Sequence, residues 1–279
     1  REEIGDEKGI AGVLLNIAGN YQLQENFDEA FIYFNKSLII YKEIENRKGI
    51  TRCLTDIGKF YCKIGDLNRA IESYKKVVNI LQEYNDPIGI SNAYTEIGLI
   101  QKLLNISGKK SAIVYFRKSL AIRKERKWEN GVGWNLKDIG TSYNDLKQYD
   151  SAVFYVKEAI DVFRKNKNNA EIAYSLLALG NISYSQKQYI KAEEYYNESK
   201  KIFSELNNKQ GIIESNISLA DILIINRSYK EALFFYNQGE NYFKGNMFYL
   251  KGIYKSLYII NKNLLNNVKA LEYLEKYKS

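Results

Sequence analysis

The sequence predicts an all-α chain folded as a right-handed superhelical solenoid of about seven helix pairs, and three observations support this prediction. Its 279 residues include a single proline, the residue that most strongly interrupts helices. A pattern of small and apolar residues returns at a nearly constant period along the chain. Within each period the apolar residues are spaced as on one face of an α-helix.

The period is visible in seven related segments. They are LLNIAGNY at 14–21, LTDIGKFY at 54–61, YTEIGLIQ at 94–101, LKDIGTSY at 136–143, LLALGNIS at 176–183, NISLADIL at 216–223 and YKSLYIIN at 254–261. Each segment is followed by an alanine, namely Ala30, Ala70, Ala112, Ala152, Ala192, Ala232 and Ala270. The spacings between these alanines are 40, 42, 40, 40, 40 and 38 residues. The chain is therefore predicted to be a repeat array.

Each repeat predicts two helices. In the second repeat the first apolar stripe consists of Leu54, Ile57, Gly58 and Tyr61. The second stripe consists of Ala70, Tyr74, Val77 and Leu81. We expect the small residues Gly58 and Ala70 to let the two helices approach closely.

The turns between helices also carry recognisable signals. Gly65-Asp66 predicts a helix stop followed by an N-cap, and Asp86-Pro87 predicts a cap followed by proline at the first helical position. A large residue opens the second helix of most repeats and is expected to fill the gap at the turn. These residues are Phe27, Leu67, Tyr149, Tyr189 and Tyr229.

This pattern resembles the tetratricopeptide repeat. In the fourth repeat the familiar positions fall on Leu136, Ile139, Gly140, Tyr143, Ala152, Val156 and Ala159. The period near 40 residues is similar to that of bacterial Rap-type regulators, kinesin light chains and bacterial sensor proteins with such repeats. The tryptophan and the repeat-end proline of the family pattern are missing. The resemblance implies a solenoid of helix pairs whose first helices line a concave groove.

We expect one solenoid domain over residues 1–279. Its predicted repeats span approximately 9–48, 49–88, 89–130, 131–169, 170–210, 211–249 and 250–279. The opening segment REEIGDEKGI matches the repeat-closing segments at 41–50 and 203–212. The chain is therefore expected to begin in the tail of a second helix, as a fragment of a longer protein.

The composition argues against an enzyme. The absence of histidine excludes Ser-His-Asp triads and HExxH zinc sites, and no glycine-rich phosphate-binding loop is present. We expect no cofactor and no metal, and we interpret Cys53 and Cys62 as small core residues in a reducing compartment. No apolar run is long enough to span a membrane. A cytoplasmic location is predicted, with the periplasm left open if the parent is a membrane sensor.

The expected groove surface follows from the resemblance, which places the second, fifth, ninth and twelfth residues of each first helix there. Nine candidates for ligand contact are Arg52, Lys59, Asn92, Trp134, Lys137, Asn144, Tyr174, Asn181 and Tyr184. Six further residues on this surface are Thr55, Thr95, Lys102, Thr141, Asp221 and Lys255. Flat aromatic rings and amides suit an extended peptide. We therefore predict a non-catalytic module that binds a peptide or protein segment, as the sensory or scaffold part of a larger bacterial signalling protein.

Two alternatives remain open at this point. One is a structural assembly scaffold. The other is a nucleic-acid-associated regulator that uses the basic third repeat. Nucleic acid is not the expected partner, because the positive charge is concentrated in one part of the chain: of the net charge of +8, residues 101–150 carry +6. The basic residues are Lys109, Lys110, Arg117, Lys118, Arg123, Lys124, Arg126 and Lys127, expected on the convex side. The parent protein is expected to carry a kinase, a cyclase or a DNA-binding module.

Overall fold

The computed structural model describes residues 6–83 and 85–278, which form fourteen α-helices and no β-strand. The helices are α1 (Glu7–Leu23), α2 (Phe27–Glu43), α3 (Arg47–Lys63), α4 (Leu67–Glu83), α5 (Pro87–Lys102), α6 (Ile106–Glu125), α7 (Glu129–Asp145), α8 (Tyr149–Lys165), α9 (Asn169–Ser185), α10 (Tyr189–Glu205), α11 (Lys209–Ile225), α12 (Tyr229–Tyr242), α13 (Met247–Asn263) and α14 (Asn267–Lys278). None of these helices is long and apolar enough to cross a membrane.

The prediction of an all-α repeat array is confirmed. The first helix of each pair begins one to three residues ahead of the expected repeat start. The large residues predicted to open second helices are the first residues of α2, α4, α8, α10 and α12. The predicted tail of a preceding helix falls on residues 1–5, which lie outside the described residues.

Short turns and side-chain caps separate the helices. Asp86 accepts a hydrogen bond from the Gly89 backbone N–H, and Pro87 follows it at the first helical position, as predicted. Asp66 caps α4 through the Arg69 backbone N–H, directly after Gly65 in the left-handed region with φ of 81°. Most other caps are asparagines, which satisfy backbone donors that helix ends leave free. The asparagine caps with this bond are Asn26, Asn46, Asn105, Asn168, Asn208 and Asn266.

The glycine of the first helix has a different role from the one expected. The space beside Gly58 is filled by the ring of Tyr74, which would lie 2.8 Å from a Cβ atom at that position. Gly98 faces the ring of Phe116 in the same way, and Gly180 faces the ring of Tyr196. The glycine therefore makes room for a large ring from the second helix, and not for a close approach of the two helix backbones.

The chain divides into two compact units within the turn between α7 and α8. Unit 1 ends at Leu146 and contains α1 to α7, whereas unit 2 begins at Lys147 and contains α8 to α14. In both units consecutive helices pack antiparallel around a core of apolar side chains. A single domain over the whole chain stays a prediction.

Both cysteines are free thiols. Cys53 is fully buried, and this burial raises the pKa of its thiol to about 12. Cys62 is half-buried, and burial also raises the pKa of its thiol. Raised pKa values keep both thiols protonated and unreactive, consistent with core residues. No group of three potential ligand side chains that could hold a metal ion occurs in the described part of the chain.

Candidate functional site

First helices form the inner layer of each unit. In unit 1, α1 contacts α3 in addition to its own partner α2, and in unit 2, α9 contacts α11 in the same way. The candidate residues lie on these first helices. We call the first-helix surface that they share the inner face, and it is described separately for each unit.

In unit 1, two candidates share a pocket of about 390 Å³ on α1 and α3. Arg52 and Lys59 line this pocket together with Asn16 and Asp56. Both basic side chains are exposed, and the Lys59 ammonium lies 3.6 Å from an Asp56 carboxylate oxygen. The pocket therefore offers cationic and amide groups to a ligand.

The other unit 1 candidates lie on α5 and α7. Asn92 is exposed, and its Oδ1 accepts a hydrogen bond from Arg123 over 3.0 Å. Trp134 is half-buried, with its ring edge-to-face against Trp128 at 6.0 Å between centroids. Lys137 and Asn144 are also half-buried, and Oδ1 of Asn144 is buried without a hydrogen-bond partner. Trp134 therefore presents only part of its ring to a ligand.

Several of the further inner-face residues of unit 1 are engaged in packing the repeats together. The Lys102 ammonium donates to the Thr141 hydroxyl over 2.9 Å and lies 3.5 Å from Asp145. The Thr95 hydroxyl is 3.0 Å from the Ser119 hydroxyl and accepts a bond from the buried amide of Asn135. These groups join α5, α6 and α7, so they serve the fold.

In unit 2, the inner face contains a pocket of about 410 Å³, within the range of about 300–1,000 Å³ common for ligand sites. We call it the inner pocket. Residues of α9, α11, α12 and α13 line it, namely Leu177, Asn181, Glu214, Ile217, Ser218, Asp221, Tyr236, Tyr249, Gly252, Ile253 and Ser256. Of the three unit 2 candidates, Asn181 is therefore in the pocket lining.

Tyr174 and Tyr184, the other two unit 2 candidates, lie on α9 outside this lining. The Tyr174 ring is half-buried and packs edge-to-face against Phe203 of α10, with 4.7 Å between centroids. The Tyr184 ring packs against Tyr189 at 5.4 Å, and burial raises the pKa of its hydroxyl to about 12. Both rings therefore use part of their surface to hold α9 against α10.

Two buried tyrosines of the second helices reach the inner face with their hydroxyl groups. Tyr196 of α10 donates to Oδ1 of Asn181 over 2.8 Å. Tyr236 of α12 donates in the same way to Oδ1 of Asp221. Both rings are 2% exposed. These bonds fix the orientation of the two inner-face side chains from behind.

Sequence reasoning missed the tyrosines and one acid of the inner pocket. Tyr236 has the spacing of a core residue, and only its side-chain length brings its hydroxyl to the pocket. Glu214 of α11 lies one repeat after Tyr174 and two repeats after Trp134, at the same position of the repeat, so the positional rule could have found it. Its Oε1 accepts hydrogen bonds from Tyr249 over 3.0 Å and from Gln210 over 2.8 Å.

The basic cluster of the third repeat differs from the expected convex patch in one residue. Arg123 is 4% exposed and lies against Gly131, where its guanidinium donates to the Gly131 carbonyl over 3.0 Å and packs over the Trp128 ring at 4.6 Å. Burial lowers the pKa of Arg123 from its usual value. The prediction that Arg123 belongs to a solvated basic surface was wrong, because the residue replaces an apolar core side chain.

Two family models of the tetratricopeptide repeat match this chain, over residues 9–83 and 138–166. The described residues form seven helix pairs, and these matches agree with a tetratricopeptide-repeat fold. No curated protein sequence matches it significantly.

Solved structures of the same fold include several bacterial and archaeal proteins. Aspartyl phosphate phosphatase F from Bacillus subtilis is 16% identical, with a TM-score of 0.74 over 95% of this chain and 68% of that one. A Rap protein complexed with competence and sporulation factor is 17% identical, with a TM-score of 0.66 over 97% and 87% of the two chains. A signal transduction ATPase with a tetratricopeptide repeat sensor from Pyrococcus horikoshii is 16% identical, with a TM-score of 0.64 over 95% and 41%. At these identities the likeness is one of fold.

Proposed function

We propose that this chain is a non-catalytic module that binds an extended peptide or protein segment on the inner face of its first helices. The observation that carries the proposal is the inner pocket of unit 2, which combines apolar walls with an amide and two carboxylates. An extended peptide needs apolar surface for its side chains and hydrogen-bonding groups for its backbone. The inner pocket supplies both.

Asn181 is the residue best suited to hold a peptide backbone. Its Oδ1 is occupied by the Tyr196 hydroxyl, so the amide orientation is fixed and the NH₂ group is turned toward other acceptors. The side chain is exposed. A peptide carbonyl is the natural acceptor for this NH₂ group.

The wider role that we propose is that of a sensory or scaffold region in a larger signalling protein. Two structures of the same fold support it by their descriptions, since one holds competence and sporulation factor and the other uses its repeats as a sensor. The alternative role in nucleic-acid binding is less well supported. The basic third repeat loses Arg123 to the core, and Lys118 lies over the Tyr94 and Tyr115 rings.

A binding measurement with matched variants tests the proposal. A library of fluorescent peptides is screened against the intact chain, and the affinity of the best peptide is measured for Asn181→Ala and the control Lys124→Ala. We expect Asn181→Ala to weaken binding at least about tenfold, as for a residue at the centre of an interface. Lys124 is exposed on the second helix α6, so its loss should have little effect. Trp134→Ala tests in the same way any peptide that binds the inner face of unit 1. If Lys124 is critical and Asn181 is neutral, the inner face is not the binding surface.

A further inference from the structure

The inner pocket of unit 2 is acidic although the chain is basic. The net charge of the whole chain is +8, yet the two charged side chains that line this pocket are Glu214 and Asp221. Neither carboxylate forms an ion pair within residues 6–83 and 85–278. Two negative charges without a cationic partner therefore face one cavity.

The protein binds one oxygen of each carboxylate and leaves the other oxygen available. Tyr236 donates to Oδ1 of Asp221, and Tyr249 and Gln210 donate to Oε1 of Glu214. Oδ2 of Asp221 and Oε2 of Glu214 accept no hydrogen bond from the described part of the chain. Each acid is thus held in place by neutral donors, while one oxygen remains free to accept a bond from a ligand.

The two acids share one face of α11. They are seven residues apart, which is about two helical turns or about 10.5 Å along the axis. Both acids are half-buried, and burial raises the pKa of the Asp221 carboxyl group. A buried carboxylate is costly in its charged form, and a cation brought against it offsets that cost.

The remaining lining suits the aliphatic part of a basic side chain. Leu177, Ile217 and Ile253 supply apolar walls around the two acids. Lysine and arginine bury their methylene stems along apolar surface and keep the charged head at a polar site. The pocket offers these two environments next to each other.

We infer that the inner pocket of unit 2 receives a lysine or arginine side chain of an extended peptide, with its cationic head bound by Asp221 and attracted by Glu214. This inference rests on the proposed function and specifies the ligand class. Asp221 supplies the direct charged contact, whereas Glu214 contributes its field from two turns away. A small free cation, such as a polyamine, has related chemistry, and the experiment separates the two sources.

The experiment uses the intact chain and fluorescent heptapeptides with one fixed central residue among mixed neutral residues. The central residue is arginine, lysine, citrulline or norleucine. Binding is measured for the parent chain, Asp221→Asn, Glu214→Gln and the control Glu194→Gln, which removes an exposed acid of α10. Circular dichroism confirms folding of each variant, and spermidine and arginine amide are tested as competitors.

We expect arginine or lysine peptides to bind at least about tenfold more tightly than citrulline or norleucine peptides. Asp221→Asn should abolish that preference and Glu214→Gln should reduce it, with Glu194→Gln unchanged. Equal binding of all four peptide classes would overturn the inference and leave the proposed function standing. An unchanged preference in Asp221→Asn, or spermidine binding as tightly as the peptides, would also overturn it. Binding of no peptide at all would remove the proposed function and the inference together.

Discussion

The contact between Gly180 and Tyr196 can be tested by one added methyl group. In Gly180→Ala, the new Cβ atom would lie 2.3 Å from Cε1 and 2.5 Å from Cδ1 of the Tyr196 ring. The ring is 2% exposed, and its hydroxyl is bonded to Asn181. The ring has no solvent side into which it can move. We therefore expect this substitution to destabilise the protein, although alanine is the better helix former.

The expected magnitude follows from two opposing effects. Replacing glycine by alanine inside a helix gains about 0.5–1 kcal/mol. Forcing an extra methyl group into a packed core costs about 1–3 kcal/mol. Gly252 in α13 is a matched control, because a Cβ atom there meets nothing within 4 Å. Gly252→Ala should therefore show the gain alone, and the difference between the two variants should be about 1–3 kcal/mol.

Urea unfolding followed by far-ultraviolet circular dichroism measures both free-energy changes. Because repeat arrays can unfold in stages, amide hydrogen exchange in α9 and α10 should accompany it. Exchange there should become faster in Gly180→Ala. If Gly180→Ala and Gly252→Ala stabilise the protein equally, the ring does not occupy the space beside Gly180 and this account of the helix pair is refuted.

Two further predictions concern buried charges in unit 1. Burial raises the folded-state pKa of Glu96 above its unfolded value. The protein therefore loses stability as pH rises from the unfolded-state pKa through the folded-state pKa. At pH 7, Glu96→Gln should be more stable than the parent. Urea midpoints should converge below about pH 4, where the carboxyl is protonated in both states, and a gap that persists there would contradict the reasoning. Arg123→Met should keep the free energy of unfolding within about 1 kcal/mol of the parent or raise it, since methionine also fills the core site. Arg123→Ala should cost at least about 2 kcal/mol through the cavity it leaves, and equal stability of Arg123→Met and Arg123→Ala would show that the site is not packed.

The helices and some turns could be predicted because they depend on local chemistry. Asp86-Pro87 and Gly65-Asp66 act through caps and backbone preferences that a short window of sequence contains. Other turns carry no such signal. Lys147, Lys187 and Arg227 adopt positive φ after first helices, at the position that Gly65 occupies in the second repeat. A left-handed lysine or arginine costs about 1–2 kcal/mol, so packing of the flanking helices holds these turns and no local rule could identify them.

The burial of Arg123 shows that a run of basic residues does not by itself predict which of them lie at the surface. Its neighbours in the basic run predict a solvated surface. The repeat alignment, however, places Arg123 where other repeats have the buried residues Tyr41 and Phe203. The positional signal was therefore present, and the charge run masked it.

The chemistry of the inner face depends on residues that a positional rule assigns to the core. A second-helix tyrosine can deliver its hydroxyl to the inner face only where the facing first-helix residue is small enough to let the ring pass. Tyr196 passes Gly180 to reach Asn181. Tyr236 lies sixteen residues after the fully buried Ala220, as Tyr196 does after Gly180, and it reaches Asp221. In the fourth repeat the equivalent residue is Val156, which has no hydroxyl to deliver. Tyr74 also lies sixteen residues after Gly58, but the residue after Gly58 is Lys59, which has no acceptor atom, and the Tyr74 hydroxyl forms no hydrogen bond within the described residues. A small residue followed directly by an amide or carboxylate, with a tyrosine sixteen positions after the small residue, is therefore the sequence pattern that orients a polar group on the inner face.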